Sequence, residues 1–523
     1  MAPSGESVYC ETQSRMMQSR TTAAARQKHK RDMKKLAMLL LALTGLAMSH
    51  AQQPIERPRL VVGIVVDQMR WDYLYTYNQM WRADGIRRLM REGYSCGNTI
   101  IDYVPTYTAC GHSCVYTGTT PAFNGIVGNT MMVHGKPITS VQDTTVVGVG
   151  TTTAKGQASP RNMLVTTLGD QLRLATDMQA RVVGVSLKDR AAILPAGHAA
   201  NGAYWYDEKV PGFITSTYYM DKLPRWVEQF NRDSKQTMRR YDLWNNRNGV
   251  TVTFDMALAA IDGEQLGQDE VTDLLAISFS TTDYVGHAWS TRSLQLDSIY
   301  DQLDIDMARF LNALDQKVGR GNYLLFLTAD HGATHNYQYM SEHHLPTETM
   351  GNTSMEKKVN QLVKDKFGID KVIKAHIGYN WFLDNEAIAE AGADREAVKR
   401  AIVELIERDD RIAWVIDCEH PYDRAIPREV VDRVVKGYYP KRCGELYIIP
   451  VTGVYSGSHD GKGSTHGTWN QSDSHIPLVF YGWHVPHGER TERNGMTDIA
   501  ATVAAMLHIQ APDACIGRPI PFK

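Results

Sequence analysis

The sequence predicts an α/β fold: a central, largely parallel sheet flanked by helices on both faces, with an inserted α+β cap subdomain. Two observations carry this. Short apolar, β-branched runs recur along the chain with helical segments between them, and such alternation places a sheet between two helical layers. Within each run the apolar character is continuous rather than alternating. That marks strands buried on both faces, as in a parallel sheet.

Taken in order, the first run is Leu60–Val66 (LVVGIVV), ending on Asp67. Strands follow at 181–187 (RVVGVSL), 273–280 (DLLAISFS), 323–328 (YLLFLT) and 476–481 (IPLVFY). Helices are expected over 166–176, 291–318 and 497–508. Between about 340 and 455 charged helices (355–368, 386–408) and short strands interrupt the alternation. This segment is read as the cap, which leaves 52–339 and 456–523 as the main domain.

The first 51 residues read as an extended N-terminus and signal peptide. Lys34 and Lys35 precede an uncharged apolar run, Leu36 to Met48, and Ser49-His50-Ala51 puts small residues at the −3 and −1 positions before Gln52. The run of about 13 residues falls short of the roughly 20 that a bilayer span needs. Cleavage near Ala51-Gln52 and a periplasmic or secreted mature protein are expected, with Met33 the more usual start for such a leader. Six cysteines then remain: Cys96, Cys110, Cys114, Cys418, Cys443 and Cys515. They are too few for a disulfide scaffold, with Cys418–Cys443 the expected pair. The net charge of −2 and 43% hydrophobic content are those of an ordinary globular chain. They provide no basic excess to select nucleic acid or anionic membrane as a partner.

Chemistry concentrates at the strand ends. Asp67 ends the first strand, Lys188 and Arg190 follow the second, Asp283 lies just past the third, and Asp330-His331 end the fourth. Ligands bind open α/β sheets at the carboxyl ends of their strands, so these side chains are expected to converge. With Asp283-x3-His287, Asp330-His331-Gly332 and His466-Gly467 the chain offers three carboxylates and three imidazoles, the donors zinc takes. Two zinc ions need about eight donors; these six, a hydroxyl and a substrate oxygen come close. Two ions about 4 Å apart clamp an in-line displacement at phosphorus. Singly, each residue has a plainer explanation, as a helix cap, a salt-bridged pair or a surface histidine. Their joint occurrence at strand ends is what points to a metal centre.

A nucleophile is expected in Pro105-Thr106-Tyr107-Thr108-Ala109-Cys110-Gly111-His112. A hydroxyl attacking phosphate needs a lowered pKa, which zinc provides, and a helix start adds backbone N–H groups for the phosphoryl oxygens. Thr106 and Thr108 both qualify, with small residues after Thr108 giving access. Cys110 has no neighbour to form a catalytic dyad.

These segments resemble a known family. Val65-Val66-Asp67-Gln68-Met69-Arg70, Tyr103-Val104-Pro105-Thr106-Tyr107-Thr108, Gly125-Ile126-Val127-Gly128-Asn129 and Ser186-Leu187-Lys188-Asp189-Arg190 are similar to the phosphate-irrepressible, PafA-type alkaline phosphatases. Asp283-x3-His287, Asp330-His331-Gly332 and His466-Gly467 follow in the family's order, over about residues 58–523. The resemblance implies an alkaline phosphatase-like fold and two Zn2+. Asp67, Thr108, Asp330 and His331 would hold one ion, and Asp283, His287 and His466 the other. Thr108 would be the nucleophile, forming a phosphothreonine. Asn129, Lys188 and Arg190 would bind the phosphoryl oxygens of small-molecule phosphate monoesters. A monoester has a free oxygen where a diester carries a second organic group, and two cations there favour the monoester.

A phosphodiesterase or nucleotide pyrophosphatase of the same superfamily would share the metal cluster and threonine but lack the Lys188/Arg190 contacts. A non-catalytic zinc-binding protein has no use for Thr108, Asn129, Lys188 and Arg190 together. The residues after Cys110 (Gly-His-Ser-Cys) do not fit a sulfatase, and superfamily phosphomutases lack such a leader. His112, His335, His343, His344, His459 and His475 are left without an assignment.

Overall fold

The runs of continuous apolar character become the middle of a ten-stranded sheet. In a computed structural model describing residues 17, 22–38 and 55–522, this sheet belongs to one compact unit, Arg57–Lys523. A separate N-terminal unit spans Met1–Glu56, in which 22–38 are an exposed helix. The cleavage site at Ala51-Gln52 lies outside the described residues. Among those described, no helix is long and apolar enough to cross a membrane.

Five parallel strands form the sheet's centre: β1 (Leu60–Val66), β2 (Val182–Ser186), β3 (Gly202–Asp207), β4 (Asp273–Phe279) and β5 (Tyr323–Thr328). They lie in the spatial order β5-β1-β4-β2-β3. All of their residues are buried, as continuous apolar runs require. In the register, Val65 of β1 stands opposite both Ser278 of β4 and Thr328 of β5. The strands therefore end level, and the residues that leave them start from one edge.

The last expected strand is displaced. β6 (Leu478–Gly482) runs antiparallel to β5, while His475–Ile476 pair with Thr99–Ile100 in a separate small sheet. Pro477 sits at the break, where its missing N–H cannot serve a ladder. The long helix expected at 386–408 is also two, Asn385–Glu390 and Arg395–Ile406. Gly392, at a φ of 62°, ends the first, and the Asp394 carboxylate caps the second through Glu396 N.

Within 340–455 a four-stranded antiparallel sheet (Ile373–Ile377, Asn380–Leu383, Leu446–Pro450, Ile412–Asp417) has its own apolar cluster, including Val359, Trp381, Ile402 and Ile448. Val104, just ahead of the candidate nucleophiles, belongs to that cluster. All six cysteines after residue 51 are free thiols, so the expected Cys418–Cys443 disulfide is absent. Cys418 N donates to Glu445 O, so Cys418 pairs with Glu445 rather than Cys443. The Cys443 sulfur instead accepts from Tyr439 N.

Candidate active site

Three helices begin where the strands end. α1 (Thr108–Thr117), wholly buried, opens on Thr108; α2 (Asp189–Ala196) follows Lys188, its N-cap; and α3 (Thr281–Trp289) carries Asp283 and His287 one turn apart. Gly111 lets α1 approach: a Cβ there would come 2.2 Å from the Asp330 carbonyl oxygen. Asp67 and Asp330 leave β1 and β5 directly, and His466 enters on the loop 457–467.

The three imidazoles are oriented alike. Nδ1 of His331 bonds Gly332 O at 3.0 Å, that of His466 bonds Thr106 O at 2.7 Å, and that of His287 bonds Ser464 O at 2.9 Å. A carbonyl only accepts, so each Nδ1 carries the proton and each Nε2 presents its lone pair. Those Nε2 atoms face carboxylates. His331 lies 3.5 Å from Asp67 and 3.4 Å from Asp330, while His287 and His466 lie 3.1 and 3.6 Å from Asp283. Asp67, Asp330 and His331 form one group with ligand atoms within 4.8 Å of each other; Asp283, His331 and His466 form another.

Electrostatics divide the set: His331, His466, Asp283 and Asp330 are held as free donors, whereas His287 and Asp67 are pushed toward their protonated forms. Burial, with His331 nearby, holds the His466 pKa well below its ordinary value, and burial lowers that of His331. At His287 the opposing pull of Asp283 outweighs burial and raises the pKa. Burial and then the charges of Asp283 and Asp330 push the Asp67 carboxyl well up. At Asp283, Lys188 and His287 overcome burial and hold the group well down; at Asp330, His331 and His112 do the same.

This donor set fits divalent cations. Three buried carboxylates meet one buried ammonium, that of Lys188, and a buried charge without compensation is expensive. Asp67 Oδ1 and Asp330 Oδ2 are buried without a hydrogen-bond partner, acceptors that a cation would satisfy.

Thr108 Oγ1 stands 3.5 Å from both His331 Nε2 and Lys188 Nζ. Lys188 Nζ also bridges Asp67, at 2.5 Å, and Asp283, at 2.6 Å. The other candidate hydroxyl is committed elsewhere: Thr106 Oγ1 donates to Thr468 O and accepts from Gly467 N. Asn129 accepts from Ala109 N at 2.9 Å through its side-chain carbonyl, leaving its amide nitrogen as the donor end. Direct contacts thus gather Asp67, Thr108, Lys188, Asp283, His287, Asp330, His331 and His466, with Asn129 joined through α1. Arg190 lies close enough to Lys188 for its charge to be felt there; its guanidinium reaches Asp189 at 3.5 Å and its buried Nε has no partner. Cys110 is buried with its thiol pKa pushed well up by that burial, consistent with an inert thiol.

Three buried residues at the site carry no role in the sequence analysis. Gln68, in the left-handed region at a φ of 66°, donates to Asp330 from its backbone and to Asp283 from its side chain. His112 bonds Thr108 O and Ser278 Oγ and faces Asp330 at 3.3 Å. Asp473 ties Thr334 to Thr468, beside His331 and His466. His112 could have been found from its place one helical turn after Thr108; Gln68 and Asp473 have no spacing that marks them.

Residues 61–474 match the family of type I phosphodiesterases / nucleotide pyrophosphatases. The alkaline phosphatase PafA of Elizabethkingia meningoseptica is 40% identical, the match covering 93% of this chain and 98% of that protein. A protein of Myroides odoratus named calcium-transporting ATPase is 41% identical over 90% of this chain and 95% of its own length. The crystal structure of wild-type PafA superimposes with a TM-score of 0.86 at 40% identity, covering 90% of this chain and 99% of that one. The chain therefore belongs to the type I phosphodiesterase / nucleotide pyrophosphatase family and, within it, to the PafA-like alkaline phosphatases.

Proposed function

We propose that the protein is an exported, two-zinc phosphatase that hydrolyses phosphate monoesters through a phosphothreonine at Thr108. The observation that carries this is one hydroxyl, Thr108 Oγ1, standing 3.5 Å from a neutral imidazole on one side and an ammonium on the other. Around it lie two donor groups that share His331, Asp67-Asp330-His331 and Asp283-His331-His466, with His287 Nε2 3.1 Å from Asp283. Asp67, Asp330, His331 and Thr108 would hold one zinc, and Asp283, His287 and His466 the other. When bound, the ions supply Lewis-acid chemistry that lowers the pKa of a hydroxyl and neutralises charge on a leaving oxygen.

The chain's own residues do the rest. Thr108 opens α1 with its oxygen at the helix's positive end, where a phosphoryl group is stabilised. Asn129 donates its amide N–H to one non-bridging oxygen. Lys188 and Arg190 take the remaining oxygens as charge-assisted donors. Attack forms the Thr108 Oγ–P bond as the ester P–O bond breaks; water then attacks phosphorus, releasing phosphate and restoring the hydroxyl. The segment 340–455 caps the site on the leaving-group side, a role supported by Val104, which packs in that segment's core. Export is supported by the leader composition of residues 34–51.

The test combines metal analysis with assays on a chromogenic monoester and diester. Thr108→Ala should lose at least a thousandfold in monoester turnover, the scale for removing an activated nucleophile, while keeping its zinc; near-normal turnover sinks the assignment. Lys188→Ala should cost the monoester more than the diester. Equal losses would favour a phosphodiesterase, and stoichiometric zinc without hydrolysis would mark a zinc-binding protein.

A further inference from the structure

Lys188 is buried, yet its long flexible stem makes its aim a matter of what surrounds the ammonium. Asp67 and Asp283 provide its ion pairs. A third neighbour is aromatic: Lys188 Nζ lies over the Tyr284 ring, 5.4 Å from its centroid. Tyr284 in turn packs on Trp244, with centroids 4.6 Å apart, and Lys155 Nζ lies over Trp244 at 5.0 Å.

Each member is fixed from behind. The segment holding Trp244 is tied to α3, because Thr281 Oγ1 donates to Leu243 O at 3.0 Å. Gly249 packs against that same carbonyl, where a Cβ would come 2.0 Å from the oxygen. Lys155 is ion-paired with Glu208, and its carbonyl accepts from Trp205 Nε1. Both rings are half-buried, each packed on the other and on one of these cations.

We infer that Tyr284, backed by Trp244, is a positioning residue that holds the Lys188 ammonium at the unsubstituted oxygen of a phosphate monoester. A ring face attracts a desolvated cation and offers no competing acceptor, so it restrains Lys188 without drawing it from the substrate. The inference rests on the role proposed for Lys188.

The experiment measures kcat/KM for a monoester and a diester on the zinc-loaded enzyme, with zinc content as a check. Tyr284→Leu should lower the monoester value about tenfold, the scale of a half-buried cation–π contact, with the diester value changed by less than about twofold. Tyr284→Phe, which keeps the ring, should restore monoester activity. Trp244→Leu, away from the zinc-binding residues, should show a smaller loss in the same direction. Adding Tyr284→Leu to Lys188→Ala should cost nothing further, because the ring acts through the lysine. Equal losses on both substrates, failure of Tyr284→Phe to rescue, or additive losses in the double variant would overturn the inference. If Lys188→Ala alone fails to discriminate the substrates, it is the role of Lys188 that fails.

Discussion

At the scale of single residues, burial decides which groups titrate and which do not. His335, outside the donor groups, is held at a pKa of about 3 by burial and the positive charges of Arg70 and Arg292, against an ordinary 6.5. Below pH 6.5 the unfolded chain binds a proton there that the folded one refuses, so stability falls as pH falls, by about 1.4 kcal/mol per pH unit. Between pH 7 and pH 5 the wild type should therefore lose about 2 kcal/mol more than His335→Gln in denaturant titrations; parallel losses would refute this. The residues with chemistry of their own were legible in the sequence only as a set, because one carboxylate or imidazole has a plain structural explanation and six of them near strand ends do not. The choice between Thr106 and Thr108 was not legible from composition. It turns on Thr106 spending its hydroxyl on the His466 loop, a contact between residues some 360 positions apart. Gln68 and Asp473 escaped for a related reason, since their importance lies in partners that only folding supplies, whereas the spacing of His112 from Thr108 was there to be read.

At the scale of elements, local sequence fixed the buried strands well and their interruptions poorly. β1 and β5 coincide with the apolar runs that predict them, whereas Pro477 and Gly392 displaced an element that the pattern ran together. β3 went unread because its aromatics Tyr204, Trp205 and Tyr206 lie among glycines and acids without a β-branched run, and the five-residue strand Gly212–Ser216 paired with it is too short to stand out alone. Loop placement has similarly sharp requirements. A Cβ at Gly463 would sit 1.5 Å from the His287 carbonyl oxygen, so Gly463→Ala must move the loop that carries His466. Misplacement on the order of 1 Å costs about a hundredfold in rate, and zinc retention should fall with it. Gly351→Ala, where an added methyl meets nothing within 4 Å, should leave activity within about twofold, the scale of an ordinary surface change. Comparable rates for the two variants would show that the loop tolerates displacement.

At the scale of the whole molecule, the level ends of β1, β4 and β5 gather acidic side chains that the fold alone does not neutralise. Binding of metal to the folded state should therefore stabilise it, by about 2.7 kcal/mol at a free concentration one hundred times the dissociation constant. Chelation should lower the melting temperature and abolish turnover, both recovered with Zn2+; an unchanged melting temperature would contradict the charge argument. Access to that acidic cluster is uneven. The Asp67, Asp330 and His331 side chains are wholly covered and those of Asp283 and His466 nearly so, whereas that of His287 is 39% exposed. Were two ions held as proposed, the one that His287 binds would be the more open to solvent and would exchange first. A competing chelator should strip the shallow cage within its first phase and drain the deep one only as the protein breathes, so the enzyme would stop working while still half loaded.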